Sequence, residues 1–219
     1  LVISDNIVTA NSTTSSTASG NITLVAESST IALAGDLTTG TAIVAGTAGA
    51  AEVATSGTIS LTAVTGITGA GVSATGNAQV TTGTGTGGSD TATSGNITLN
   101  ATGAGIVGLS GTNALTIGSA TVADGSGSTV ARTGTITVTS ADRVNNNTSG
   151  GDLDVSFGAV TGADTKAVGT LIITTDGGAG TGGEIQITAA EALVVGALDT
   201  ANATAQNIDI LTTGDVALT

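Results

Sequence analysis

One short phrase sets the limits on how this chain can fold. Ser19-Gly20-Asn21-Ile22-Thr23-Leu24 returns as Ser56-Gly57-Thr58-Ile59-Ser60-Leu61 and again as Ser94-Gly95-Asn96-Ile97-Thr98-Leu99. A looser copy is Thr133-Gly134-Thr135-Ile136-Thr137-Val138. The isoleucines at 22, 59, 97 and 136 are 37, 38 and 39 residues apart. A constant phrase at a drifting interval marks a repeat whose strands are fixed and whose loops vary. In each copy apolar and polar residues alternate after the glycine, the pattern of a half-buried strand. The Gly and Asn ahead of it suit a turn. One such unit cannot bury its apolar face alone, so the copies are expected to stack on one another.

The same alternation recurs between and beyond the copies. Ile31-Ala32-Leu33, Ile67, Ile106-Val107 and Leu115-Thr116-Ile117 lie between them; Leu153-Asp154-Val155, Ile185-Gln186-Ile187 and Ile208-Asp209-Ile210 follow. The unit is long for one coil of a parallel solenoid, and reads as two coils of roughly 18 to 20 residues or as one coil with a large excursion. The organisation expected is a repetitive β region over 1–140, a polar loop over 141–151 and a less regular continuation of the β region over 152–219. Residues 188–205 form the one segment of helical composition, through Glu191-Ala192-Leu193, although Val194-Val195-Gly196 argues against a long helix.

Composition chooses among the β folds. The chain has no Cys, His, Met, Trp, Tyr or Pro, a single aromatic at Phe157, and 35 Gly in 219 residues. A sandwich or jelly-roll needs large side chains to fill the ~10 Å between its sheets. A solenoid is narrow, and stacked Val, Ile, Leu and Ala fill it without aromatics. Gly and Asn suit its corners, and the absence of Pro leaves every backbone donor free for the ladder. The expected fold is therefore all-β, a parallel β-solenoid (β-helix), with a β-sandwich or jelly-roll filament subunit as the alternative. Eleven or twelve short coils would make a rod roughly 55 Å long.

The Ser-Gly-Asn-Ile-Thr-Leu phrase, with spacers such as Ile31-Ala32-Leu33-Ala34-Gly35-Asp36-Leu37, resembles the repeats of filamentous-haemagglutinin-type and autotransporter-type bacterial surface proteins. The resemblance covers residues 19–140 well and the remainder weakly. It implies an exported right-handed parallel β-helix that serves adhesion or cell-surface structure, and it brings no catalytic residues. The acidic, Cys-free, Thr/Gly/Ala-rich make-up is also similar to that of surface-layer proteins.

Sixteen acids face three bases, a formal net charge of −13. That balance is wrong for nucleic acid. Without Cys or His the usual zinc, haem and iron–sulfur sites and Cys or His catalysis are excluded. No apolar run reaches the ~18 residues of a membrane helix, so no membrane insertion is expected. The absence of an initiator Met and of a signal-peptide pattern leads us to expect a mature product or a piece of a longer chain.

Candidate sites are sparse. Asp152 and Asp154, two apart on a strand, share a face; with Asp176, which opens the glycine-rich run 176–183, they are the candidate calcium ligands, and calcium is the one cofactor the sequence suggests. The bland reading is an exposed acidic strand and a flexible loop. A carbohydrate-active β-helix enzyme using the two aspartates would lack the aromatic sugar platforms such enzymes use. The run Gly83-Thr84-Gly85-Thr86-Gly87-Gly88 has no Lys and no following helix, which argues against a phosphate loop. Thr133, Thr135, Thr137 and Thr139 read as four threonines on one strand face; an ice-binding ladder would need the same pair in every copy, which Thr58/Ser60 and Asn96/Thr98 do not supply. Glycosylation triplets of the Asn-x-Ser/Thr type start at Asn11, Asn21, Asn96, Asn100, Asn146, Asn147 and Asn202.

The expectation is a non-enzymatic structural protein, extracellular or at the cell surface: a segment or subunit of a fibre, adhesin or surface layer. Its expected partners are copies of itself and cell-surface glycans. The alternative is a pilus-like filament subunit joined by strand donation, suggested by the strand-like runs 1–8 and 215–219.

Overall fold

The computed structural model describes all residues except 14–16, 46–49, 82–88, 104, 111–113, 124–127, 141–143, 146–152, 176–184, 190–192, 201–207, 213–215 and 219. For residues 106, 144, 145, 153 and 154, and for the strands beyond residue 172, it describes the backbone alone. Every described element is a β-strand, and the strands pair in parallel to form a β-solenoid.

The chain passes through five sheets, A to E, in a fixed order. The first coil is Val2–Ile3 in A, Ile7–Val8 in B, an isolated bridge from Ser12 to Ala42 beside C, Thr17–Ala18 in D and Ile22–Ala26 in E. The second repeats the circuit as Thr30–Leu33, Leu37–Thr38, Ala42–Ala45, Val53–Thr55 and Ile59–Ala63. The third is Gly66–Gly69, Ser73–Ala74, Ala78–Thr81, Thr91–Thr93 and Ile97–Ala101. The fourth is Ile106–Leu109, Leu115–Ile117, Ala120–Val122, Val130–Arg132 and Ile136–Ser140. The fifth is Val144–Asn145, Leu153–Phe157, Val160–Thr161, Thr165–Ala167 and Thr170–Thr175. Beyond it only B and E continue among the described residues, B with Ile185–Ala189 and Ile208–Thr212, E with Leu193–Thr200 and Val216–Leu218.

The repeat is thus one coil of five short strands and not two coils of 18 to 20 residues. The longest sheets hold seven strands. At ~4.8 Å per gap the stack is about 29 Å tall, half the rod expected from the sequence. The cause is that every strand of sheet D, and Ile7–Val8, Leu37–Thr38 and Ser73–Ala74 of sheet B, has only two or three residues, too short to show an alternation. Within the segment of helical composition, 188–189 end the strand Ile185–Ala189 and 193–200 form the strand Leu193–Thr200, paired with Thr170–Thr175 and Val216–Leu218, while 190–192 and 201–205 lie outside the described residues. Two ladder neighbours and the β-branched Val194-Val195 outweigh alanine's helix preference. Within the expected polar loop, Val144–Asn145 pairs with Val107 and Gly108 in sheet A.

The core is a set of side-chain columns running along the stack. In sheet E, Ile22, Ile59, Ile97, Ile136 and Leu171 lie in register, and so do Leu24, Leu61, Leu99 and Val138. Sheet C stacks Ala42, Ala78, Ala120 and Val160 beside Val44, Val80 and Val122. Sheet D contributes only Ala54, Ala92 and Ala131. From the second coil on, these residues are buried. Small residues on C and D leave room for the larger ones of E, so no aromatic is needed to fill the middle. Phe157 is the exception, buried in register with Ile117. One column is broken: Ser73 stands between Leu37 and Leu115, and its buried hydroxyl has no hydrogen-bond partner.

Candidate functional site

The recurrent phrase is the corner that leads from sheet D into sheet E, and each of its residues has a separate task there. The Ser or Thr before the glycine is buried, and its hydroxyl accepts the glycine N–H of the next coil. Gly57 donates to Ser19 Oγ at 2.6 Å, Gly95 to Ser56 Oγ at 2.6 Å, Gly134 to Ser94 Oγ at 3.1 Å and Gly169 to Thr133 Oγ1 at 2.6 Å. The glycine itself is forced by close approach. A Cβ on Gly95 would lie 1.9 Å from the carbonyl oxygen of Gly57, and one on Gly134 would lie 2.1 Å from that of Gly95. The Asn after the glycine is exposed, and its Oδ1 accepts the next coil's following N–H: Thr58 donates to Asn21 at 2.8 Å and Thr135 to Asn96 at 2.7 Å. Backbone groups that a turn leaves without a ladder partner are thereby satisfied.

A second corner, from sheet B into sheet C, uses the same parts. Gly40, Gly76 and Gly118 donate to Thr9, Thr39 and Thr75 Oγ1 at 2.8, 2.9 and 2.9 Å. Thr41 and Ser119 donate to Oδ1 of Asn11 and Asn77 at 2.8 and 2.9 Å. Thr39 also donates its own proton to the carbonyl of Gly57 at 2.9 Å, tying the two corners of one coil together across its interior. Sequence reasoning missed these threonines. The signal was present, for Thr39-Gly40-Thr41-Ala42 and Thr75-Gly76-Asn77-Ala78 are a second phrase of the same form.

The corner from C into D holds the acids. Glu52 and Asp90 are both buried, and Glu52 N–H donates to Asp90 Oδ1 at 3.0 Å. Two coils further along, Asp164 Oδ2 accepts from the Thr129 N–H at 3.2 Å and from its hydroxyl at 3.1 Å, while Asp164 N–H donates to Thr129 Oγ1 at 2.8 Å. The carboxylates of Asp90 and Asp164 therefore accept at this corner, from the coil before them, whereas the asparagines accept from the coil after.

The sites expected from the sequence fall as follows. Asp152 and Asp176 lie outside the described residues. Asp154 is in the strand Leu153–Phe157, in register with Gln186. Among the described residues no three His, Cys, Asp or Glu are grouped to hold a metal ion. Asn11, Asn21 and Asn96 are exposed corner residues whose Oδ1 is engaged as above, and Asn100 is half-buried in the strand Ile97–Ala101; Asn146, Asn147 and Asn202 lie outside the described residues. The four threonines do not share one face. Thr133 is buried at the corner as a hydroxyl acceptor and Thr135 is in the turn, whereas Thr137 and Thr139 lie on the outer side of sheet E.

What this geometry defines is a repeat protein whose polar side chains at the corners hold coil to coil. No protein-family model, curated protein or solved structure matches the chain.

Proposed function

We propose that this chain is a non-enzymatic structural protein of the extracellular space or cell surface, a segment or subunit of a fibre, adhesin or surface layer. The observation that carries the reading is the corner ladder. Buried Ser19, Ser56, Ser94 and Thr133 each spend a hydroxyl on holding the following coil. Such a stack is a stiff spacer whose length is set by repeat number, because each coil depends on its neighbours. Its outer face on sheet E is hydroxyl-rich, with Thr23, Ser60, Thr98 and Thr137 in one register column and Thr62, Asn100 and Thr139 in the next. With a net charge of −13, that surface favours solubility and contact with neutral polar polymers, such as surface glycans, over contact with anionic ones. Antibody labelling of intact source cells tests the reading. Labelling without permeabilisation is the expected result; labelling only after permeabilisation overturns it.

A further inference from the structure

The inner side of sheet D carries two columns of side chains. One is Ala54, Ala92 and Ala131. The other stands two residues earlier, where the connection from C arrives: Glu52, Asp90, Thr129 and Asp164. Strand alternation puts the two columns on the same side. Val53, between Glu52 and Ala54, is 41% exposed, whereas Glu52 is 4% and Ala54 fully buried. Asp90, at 8%, and Thr129 are buried in the same way. Glu52 and Asp90 are neighbours in successive coils. Glu52 N–H donates to Asp90 Oδ1 at 3.0 Å, and Thr91 N–H donates to the Glu52 carbonyl at 2.8 Å. One strand spacing, ~4.8 Å, separates their backbones, so two carboxylates lie side by side on the inner face.

The two ends of this column are satisfied differently. Asp164 Oδ2 takes both the N–H and the hydroxyl of Thr129. The Glu52–Asp90 pair has no such donor. Among the described residues the Glu52 carboxylate accepts no hydrogen bond, and Asp90 accepts only that of the Glu52 N–H. Neither acid is in an ion pair there; the described side-chain cations, Arg132 and Lys166, are exposed in the fourth and fifth coils. Both oxygens of Glu52 and Oδ2 of Asp90 are thus without a donor, in side chains more than nine-tenths buried. Burying like charges together is costly unless a positive charge sits between them. The donor set is oxygen only, which selects a hard cation, and two carboxylates match a divalent one. Calcium suits an irregular set, since it takes about 6–8 oxygens in loose geometry and accepts water among them, whereas magnesium demands a near-ideal octahedron.

We propose that Glu52 and Asp90 hold a calcium ion that bridges the second and third coils at the corner into sheet D. The site is separate from Asp152, Asp154 and Asp176, and it goes beyond the surface role, which does not require it. Calorimetric titration of the calcium-free 219-residue chain with calcium chloride in physiological salt tests it, together with thermal unfolding with and without calcium. Saturable binding is expected, and calcium at about a hundredfold above its Kd should raise the melting temperature by about 5 °C or more. Glu52→Gln and Asp90→Asn preserve side-chain size, and the Asn keeps the oxygen that accepts the Glu52 N–H. Each should weaken binding about tenfold or more and lose the melting shift. In chelator each should melt no lower than wild type, because one of two facing charges is gone. Should Glu52→Gln fail to fold, Asp90→Asn decides alone. No heat and no melting shift overturn the site. So do folded variants that bind calcium as wild type does, which would put the ion among the surface acids. An equal response to magnesium overturns the choice of calcium. Labelling of intact cells is a separate readout, so the calcium site and the surface role can fail independently.

Discussion

Two connections in every coil invite comparison: the corner from sheet D into E and the loop from C into D. The first is residues 19–21, 56–58, 94–96 and 133–135 in the first four coils, three long each, and 168–169 in the fifth. The second is residues 46–52, 82–90, 123–129 and 162–164, seven, nine, seven and three long. Both link the same kinds of strand, so strand geometry does not explain the difference. What differs is what the next coil demands. At the D-to-E corner each residue gives a hydrogen bond or room to the coil above, and a change in length or type is felt across the stack. In the C-to-D loop the residue just before each D strand (Glu52, Asp90, Thr129 and Asp164) is used in the same way. The loop as a whole differs in length from coil to coil.

That contrast can be broken by substitution. The largest effect is expected from Gly95→Ala, whose Cβ would overlap the carbonyl of Gly57. Urea unfolding should show a loss of about 3 kcal/mol or more, while Gly20→Ala, whose Cβ would meet only the Thr9 side chain, should lose under ~1 kcal/mol. Equal losses would mean that the close approach does not dictate the glycine. Ser94→Ala comes next. It leaves the buried Gly134 N–H without its acceptor, and thermal or urea unfolding should register about 1–3 kcal/mol. Asn96→Ala removes an exposed bond to Thr135 and should cost only ~0.5–1 kcal/mol. The smallest effect belongs to the other loop. Four Gly/Ser residues inserted between Thr81 and Ser89 should change stability by less than about 0.5 kcal/mol. A large loss there would show that the variable loop is as tightly coupled as the constant corner.

How much of this was legible in the sequence follows from the same contrast. The five-residue strands of sheet E show their alternation openly, and Ile22, Ile59, Ile97 and Ile136 could be read as one core column. The phrase in front of them read as a turn, which it is, but its tasks did not show. Ser56 and Gly95 are bonded across one coil, 39 residues apart, and nothing local in either copy names the other as partner. The strands of sheet D and the first three of sheet B, such as Val53–Thr55 and Leu37–Thr38, were not legible, because two or three residues carry no period; the later strands of sheet B, from Leu115–Ile117 on, were. This is why the number of coils was overestimated. The candidate acids fared differently. Asp154 could be placed on a strand from its alternation, while nothing in the sequence marked Asp90 as a buried acceptor for the Glu52 N–H.

By itself the sequence determined that the chain is all-β, repetitive and solenoidal. Alternation fixes strands, a recurring phrase forces like strands together, and small apolar residues fill a core only if that core is thin. Tertiary structure alone decided that each repeat is one five-sided coil, that serine, threonine and asparagine at the corners serve the next coil, and that Gly40, Gly76 and Gly95 stand where the preceding coil's carbonyl takes the Cβ position. Those are facts about contacts between residues a full coil apart. A carbonyl that lies 2 Å from a would-be Cβ exists only once the coils are stacked.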